Sequence, residues 1–233
     1  RLQDQRPASQ MSTIQTKTEL TIGRGWEGSG CPVLVRGTTA EYRRSLAEIA
    51  REDDLAVEIG SAAGVTTVKL ARLCSRTVGV DAQESEVAIS TAYAEKEGFR
   101  TLLEDEETLP AENQSGQASQ ANSGPPPLLD PNKKPVVQFV IAKIKIGKNC
   151  RESLQPLEEV LAQRGNTLRD VSLLAIDIAG TASLEVICPI IVCLKEVMRP
   201  RITVVKSLSL RKLYISLGAG EDLLSLGASE HER

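Results

Sequence analysis

Between Leu55 and Asp81 the chain reads LAVEIGSAAGVTTVKLARLCSRTVGVD. An apolar strand, Leu55 to Ile59, carries Glu58 near its end, and a loop of small residues, Gly60-Ser61-Ala62-Ala63-Gly64, follows it. A helical pattern from Val65 to Cys74 comes next, and a second apolar run closes on Asp81. Two apolar strands separated by one helix with no room for a hairpin must run parallel, so this stretch commits the chain to an α/β sheet covered on both faces.

The rest of the sequence keeps the same rhythm. Thr38 and Glu41 stand at capping-box spacing ahead of a helix marked by Tyr42, Leu46 and Ile49. After Asp81 a helix is predicted over Glu84 to Lys96. A third core strand covers Val136 to Ala142, and a helix Ser153 to Arg164 stops at Gly165. Then come a strand over Val171 to Ile178, a helix from Ser183 to Met198 with a kink expected at Pro189, and a strand over Arg201 to Val205 followed by Lys206. Glu58, Asp81, Asp177 and Lys206 therefore fall at or near the carboxyl ends of their strands, the edge where open α/β sheets bind ligands.

The flanks read differently. Residues 1–17 are polar, and Glu19 to Ile22 with Cys31 to Arg36 suggest a hairpin around a glycine-rich turn. Residues 104–134 pass from an acidic run into Gln, Ser, Gly, Asn and Pro, a composition expected to form a flexible insertion, and 218–233 read as a tail. The predicted organisation is an N-terminal segment 1–17, one domain over 18–217 interrupted by the insertion, and that tail.

Composition narrows the function classes. With 233 residues, 41% hydrophobic and 25% charged, the chain suits one soluble domain, while 3% aromatics leaves the core to aliphatic packing. A net charge of -3 gives no overall pull toward nucleic acid or anionic lipid. The one histidine, His231, supplies neither a histidine metal site nor a histidine-activated nucleophile, so no metal is expected. No apolar run is long enough to span a bilayer, and the first dozen residues lack a secretory apolar run, so no membrane partner is expected. Five cysteines without a CxxC pair, with Cys74 and Cys193 among apolar helical neighbours, read as free buried thiols, and thus as a cytoplasmic or other reducing compartment.

The spacing Glu58-x-Gly60-x-x-x-Gly64 with Asp81 beyond it resembles the first two motifs of class I S-adenosylmethionine-dependent methyltransferases. The resemblance runs over about residues 38–215 and implies a Rossmann-like, mostly parallel sheet with helices on both faces, here without the family's usual last strands. It implies S-adenosyl-L-methionine as cofactor. Gly60, Ser61, Ala62 and Gly64 would form the loop against its methionine end, Glu58 would steady that loop or reach the amino group through water, and Asp81 with Ala82 would take the ribose hydroxyls. Ala62 stands where a nicotinamide fingerprint needs its second glycine, and no P-loop pattern occurs.

Two later segments refine the resemblance. LLAIDIAG, Leu173 to Gly180, is similar to the family's fourth motif, and ITVVKS, Ile202 to Ser207, resembles strand five of the FtsJ-like RNA 2′-O-methyltransferases. Their Lys-Asp-Lys-Glu tetrad implies catalytic roles for Asp177 and Lys206, with Arg43 or Arg44 near the first position and no clear closing glutamate, Glu221 being poorly placed. The alternative for Asp177 and Lys206 is a structural ion pair. The segment after Asp177 lacks the N-P-P-Y type of run used on amino acceptors, and no Pro-Cys pair serves pyrimidine carbon, so an oxygen acceptor remains, RNA ribose among them. Arg199, Arg201, Lys206, Arg211 and Lys212 are candidates to meet phosphates, while Lys143, Lys145 and Lys148 read first as a solvated face. A non-catalytic methyltransferase-like scaffold is the runner-up, and an aminopropyl transferase a distant third.

Overall fold

The computed structural model describes residues 31–101 and 136–217. In chain order the elements are β1 (Val33–Arg36), α1 (Thr39–Ile49), β2 (Leu55–Ile59), α2 (Val65–Ala71), β3 (Arg76–Asp81), α3 (Glu84–Lys96) and β4 (Arg100–Thr101). After the insertion come β5 (Val136–Ile141), α4 (Gln155–Ala162), β6 (Leu173–Ile176), α5 (Leu184–Met198), β7 (Ile202–Lys206) and α6 (Leu208–Ser216). The expected strand over Glu19 to Ile22, the insertion and the tail lie outside the described residues.

All seven strands lie in one sheet in the order β1-β7-β6-β2-β3-β5-β4, and every pairing is parallel. The fold is thus α/β and Rossmann-like. From β2 the chain winds outward through β3 and β5, then returns to the other side through β6 and β7. The direction of winding reverses between β2 and β6, and the carboxyl edge at such a reversal is where open α/β sheets bind ligands. The edge beyond β7 is taken by β1, with Val33 to Arg36 in register with Thr203 to Lys206.

Alternation along the strands sorts the core into two layers. Val57, Ile59, Val78, Val80, Leu174, Ile176 and Val205 face α4 and α5, where Leu157, Leu161, Ile187, Ile191 and Leu194 close over them. Ala56, Leu173, Ala175 and Val204 face α1 and α2 through Tyr42, Leu46 and Leu70, while Phe99, Val137 and Ala94 continue that layer under α3. Glu58, Asp177 and Lys206 have the parity of this second face, so the polar ends of three neighbouring strands point toward α1.

The capping box at the start of α1 is present: Glu41 N donates to Thr38 Oγ1, and the Glu41 carboxylate accepts from the Thr38 amide. Helix α5 runs its full length through Pro189, which lies far enough inside to cost one backbone hydrogen bond. Cys150 and Cys193 form a disulfide, which corrects the reading of Cys193 as a free thiol; Cys74 is free and buried. An apolar helical position looks the same for a packed thiol and a paired one, and the partner is 43 residues away in sequence. Among the described residues no helix is long and apolar enough to cross a membrane.

At the opposite edge of the sheet, buried Asp54 binds three strands together. Its carboxylate accepts from Ser172 Oγ (2.6 Å), the Arg51 amide (2.8 Å) and Arg201 Nη2 (2.8 Å), and Ser172 Oγ in turn accepts from Leu55 N. Burial works to raise its pKa, but hydrogen bonds from Ser172 and Arg51, with Arg201, win and hold it below the ordinary carboxylate value. An Asp54→Ala change leaves these donors without an acceptor, so urea unfolding should show a loss of about 2 kcal/mol. A variant within experimental error of wild type would refute the clamp.

Candidate functional site

The loop after β2 is shaped by two left-handed glycines. Gly60 has φ +83°, and its amide donates to Val80 O at 2.7 Å, while Ser61 N donates to the same carbonyl at 3.0 Å. A Cβ on Gly60 would lie 2.2 Å from the carbonyl oxygen of Asp177, so the backbones after β2 and β6 touch there. At Gly64, φ is +75° and a Cβ would meet Ser90 Cβ at 2.7 Å. Ala62 also takes a positive φ, +43°, which exposes its methyl and turns its amide inward.

That amide reaches Asp81. The carboxylate accepts from Ala62 N (Oδ2, 2.9 Å) and from Gln83 N (Oδ1, 3.0 Å), tying the loop after β2 to the loop after β3. Each oxygen thereby spends one acceptor position and keeps another, so a pair of hydroxyls can still be bound. Exposed Ala62 and Ala82 leave the approach to Asp81 unobstructed by larger side chains. Ser61 Oγ is buried and has no hydrogen-bond partner, and its side chain stands over Gly79 of β3, where an added Cβ would lie 3.0 Å from Ser61 Cβ.

Glu58 is placed beneath the loop. It is 1% exposed, and it accepts from Tyr42 Oη at 3.2 Å and Thr67 Oγ1 at 2.5 Å. Burial pushes its pKa up to about 8, helped by the nearby Asp177 charge and opposed by the Thr67 and Tyr42 hydrogen bonds and by Arg43. The carboxyl is therefore largely protonated at neutral pH and acts as a hydrogen-bonded brace joining β2, α1 and α2. Tyr42 and Thr67 escaped the sequence reading, which took Tyr42 only as a helix-face residue; a tyrosine opposite a strand glutamate is the signal that was available.

Next in the row, Asp177 Oδ2 and Lys206 Nζ are 2.9 Å apart, and both side chains are 19% exposed. Asp177 N donates to Ile59 O at 2.9 Å, which fixes the carboxylate beside the end of β2. Gly180 lets the lysine stem pass, since a Cβ there would lie 3.1 Å from Lys206 Cε. Beyond Lys206 on β1 stands Arg36, in register with it; its Nε donates to Ser45 Oγ at 2.5 Å, and burial lowers its pKa. The row Arg36, Lys206, Asp177, Glu58 thus sets two cations beside two acidic residues at the ends of four adjacent strands.

Of the two arginines considered for a fourth member, Arg43 donates from Nε to Thr66 Oγ1 at 3.0 Å, and Arg44 is exposed. Glu221 lies outside the described residues. The basic residues around the last strand do not form one cluster: Arg201 pairs with Asp54 at the amino edge, while Lys206 pairs with Asp177 and Arg211 with Glu41 at the carboxyl edge. Five residues of extended strand separate Arg201 from Lys206, roughly 17 Å. Lys143 and Lys145 are exposed after β5. Among the described residues no group of three or more His, Cys, Asp or Glu side chains is placed to hold a metal ion.

No family model and no curated protein matches the chain. Among solved structures it is similar to a dimethyladenosine transferase from Plasmodium falciparum, at 11% identity and a TM-score of 0.34, covering 67% of this chain and 35% of that one. It is also similar to a precorrin 8W decarboxylase from Methanobacterium thermoautotrophicum, at 17% identity and a TM-score of 0.42, covering 82% of this chain and 74% of that one. The chain spans about a third of the length of the transferase and about three quarters of the decarboxylase. Both likenesses are distant, and it is the strand order that defines this protein as a Rossmann-like α/β domain with a seven-stranded, all-parallel sheet.

Proposed function

We propose that the protein is an S-adenosylmethionine-dependent methyltransferase acting on an oxygen acceptor, with RNA ribose among the candidates. One observation carries the reading: Asp81 joins the left-handed loop after β2 to the loop after β3 through Ala62 N and Gln83 N while retaining acceptor capacity, one strand from where the sheet reverses. Gly60, Ser61, Ala62 and Gly64 would cradle the methionine end of the cofactor, and Asp81 beside Ala82 would hold the ribose. Bound there, the cofactor supplies an activated methyl group on a sulfonium. Asp177 and Lys206, paired and facing the same edge, would orient the acceptor hydroxyl, while Glu58 supports the floor from below.

A scaffold without turnover is the second reading. Its support is that Lys206 and Asp177 satisfy each other and Arg43 is engaged by Thr66, which leaves a dyad rather than a tetrad. Calorimetric titration with S-adenosylmethionine and S-adenosylhomocysteine tests both. The wild type should bind, and Asp81→Ala should weaken binding about thirtyfold by removing bonds to two hydroxyls. No binding by the wild type removes the cofactor reading altogether. If binding holds, methyl transfer to an RNA pool should fall about a hundredfold in Asp177→Ala and in Lys206→Ala. Binding without transfer to any pool points to the scaffold.

A further inference from the structure

On the solvent side of α1 and α2 lies a groove of about 240 Å³ that the proposed chemistry does not use. Its floor is Leu46 and Leu70, both buried, and at one end Leu73 is 41% exposed. Arg43, Arg44 and Lys69 form its rim, and no acidic residue lines it. On a chain of net charge -3, this is a local concentration of positive charge over an apolar base.

We propose that this groove docks an acidic, leucine-bearing segment of a partner protein. Carboxylates of the partner would meet Arg43, Arg44 and Lys69, and aliphatic side chains between them would cover Leu73 and the floor. Charge complementarity selects the sign of the occupant, and exposed Leu73 selects its apolar component. The volume falls below the roughly 300 Å³ at which small-molecule pockets begin, yet suits aliphatic anchors from an amphipathic helix. A nucleic-acid strand fits less well: no aromatic ring lines the groove for a base to stack on, and a phosphate backbone leaves Leu73 exposed.

The test uses a fluorescein-labelled synthetic helical peptide with leucines on one face and glutamates elsewhere, read by fluorescence anisotropy on the full chain. Three probes accompany it: the same peptide with serine for leucine, the same peptide with lysine for glutamate, and a single-stranded RNA oligonucleotide. The acidic leucine peptide should bind saturably, and each peptide control should bind about tenfold more weakly. A Lys69→Glu/Leu73→Ser variant, with its fold checked by circular dichroism, should lose about tenfold in affinity. Should that variant not fold, Lys69→Gln alone should still lose about threefold. No saturable binding, binding indifferent to the groove variants, or tighter binding of the RNA through the same residues would each overturn the proposal.

Discussion

Gly60→Val should destabilise the protein by about 4 kcal/mol or more and abolish cofactor binding in whatever fraction stays folded. Two costs add at this position. The backbone sits at φ +83°, where a β-branched residue is strained, and the new Cβ would fall 2.2 Å from the carbonyl oxygen of Asp177. That oxygen belongs to a backbone fixed by the Asp177 N to Ile59 O bond, so the chain must part between β2 and β6, beside the loop proposed to hold the cofactor. Gly165→Val is the internal control: its φ is +68°, and a Cβ there meets nothing within 4 Å. It carries the strain without the collision, and should cost only about 1–2 kcal/mol. Urea unfolding of both variants, paired with titration of S-adenosylmethionine, separates the two terms. Equal losses in the two variants would mean that the close approach of the two loops does not exist.

The same contrast shows what could be read from the sequence. The strand–loop–helix–strand unit from Leu55 to Asp81 was legible because both strands are apolar runs and the small-residue loop between them permits little else. Helix α3 was legible to its end residues, and the Thr38–Glu41 capping box gave the start of α1. Predicted strand Val171 to Ile178 shortens to Leu173–Ile176, because Thr167 and Asp170 cap a 3₁₀ turn just before it and the chain leaves the sheet at Asp177. The place of β1 was open, since nothing in VLVR names β7 as its neighbour, and β4 is too short to leave a pattern.

For the site, sequence gave the residues at strand ends but not the direction of each side chain. Glu58 and Asp177 share one parity, yet Glu58 is sealed under α1 by Tyr42 and Thr67, while Asp177 stays half-open beside Lys206. Nearness in sequence misled for the basic residues of β7, because an extended strand carries Arg201 and Lys206 to opposite edges of the sheet.

Because Glu58 is sealed, stability should fall as pH rises through neutrality. Its pKa in the folded chain is about 8 against an ordinary 4.5, so between those values the native state holds a proton that the unfolded chain has released. Stability from this group is complete below about pH 4.5, declines by about 1.4 kcal/mol per unit above it, and levels off past about 8, a total on the order of 5 kcal/mol. Asp54 and Glu41 have lowered values, so their losses come at acid pH, below this window. The raised thiols of Cys31, Cys74 and Cys188 begin to count only near their ordinary 9.0. Urea midpoints measured from pH 5 to 8.5 therefore isolate Glu58 among these shifted groups. Glu58→Gln keeps the side chain's shape and an acceptor for Tyr42 or Thr67 but has no proton to lose, so its profile should be nearly flat and should cross above the wild type at the alkaline end. A wild-type profile already flat across this range, or a slope that survives Glu58→Gln, would mean that water reaches the carboxyl and that the seal made by Tyr42 and Thr67 is open.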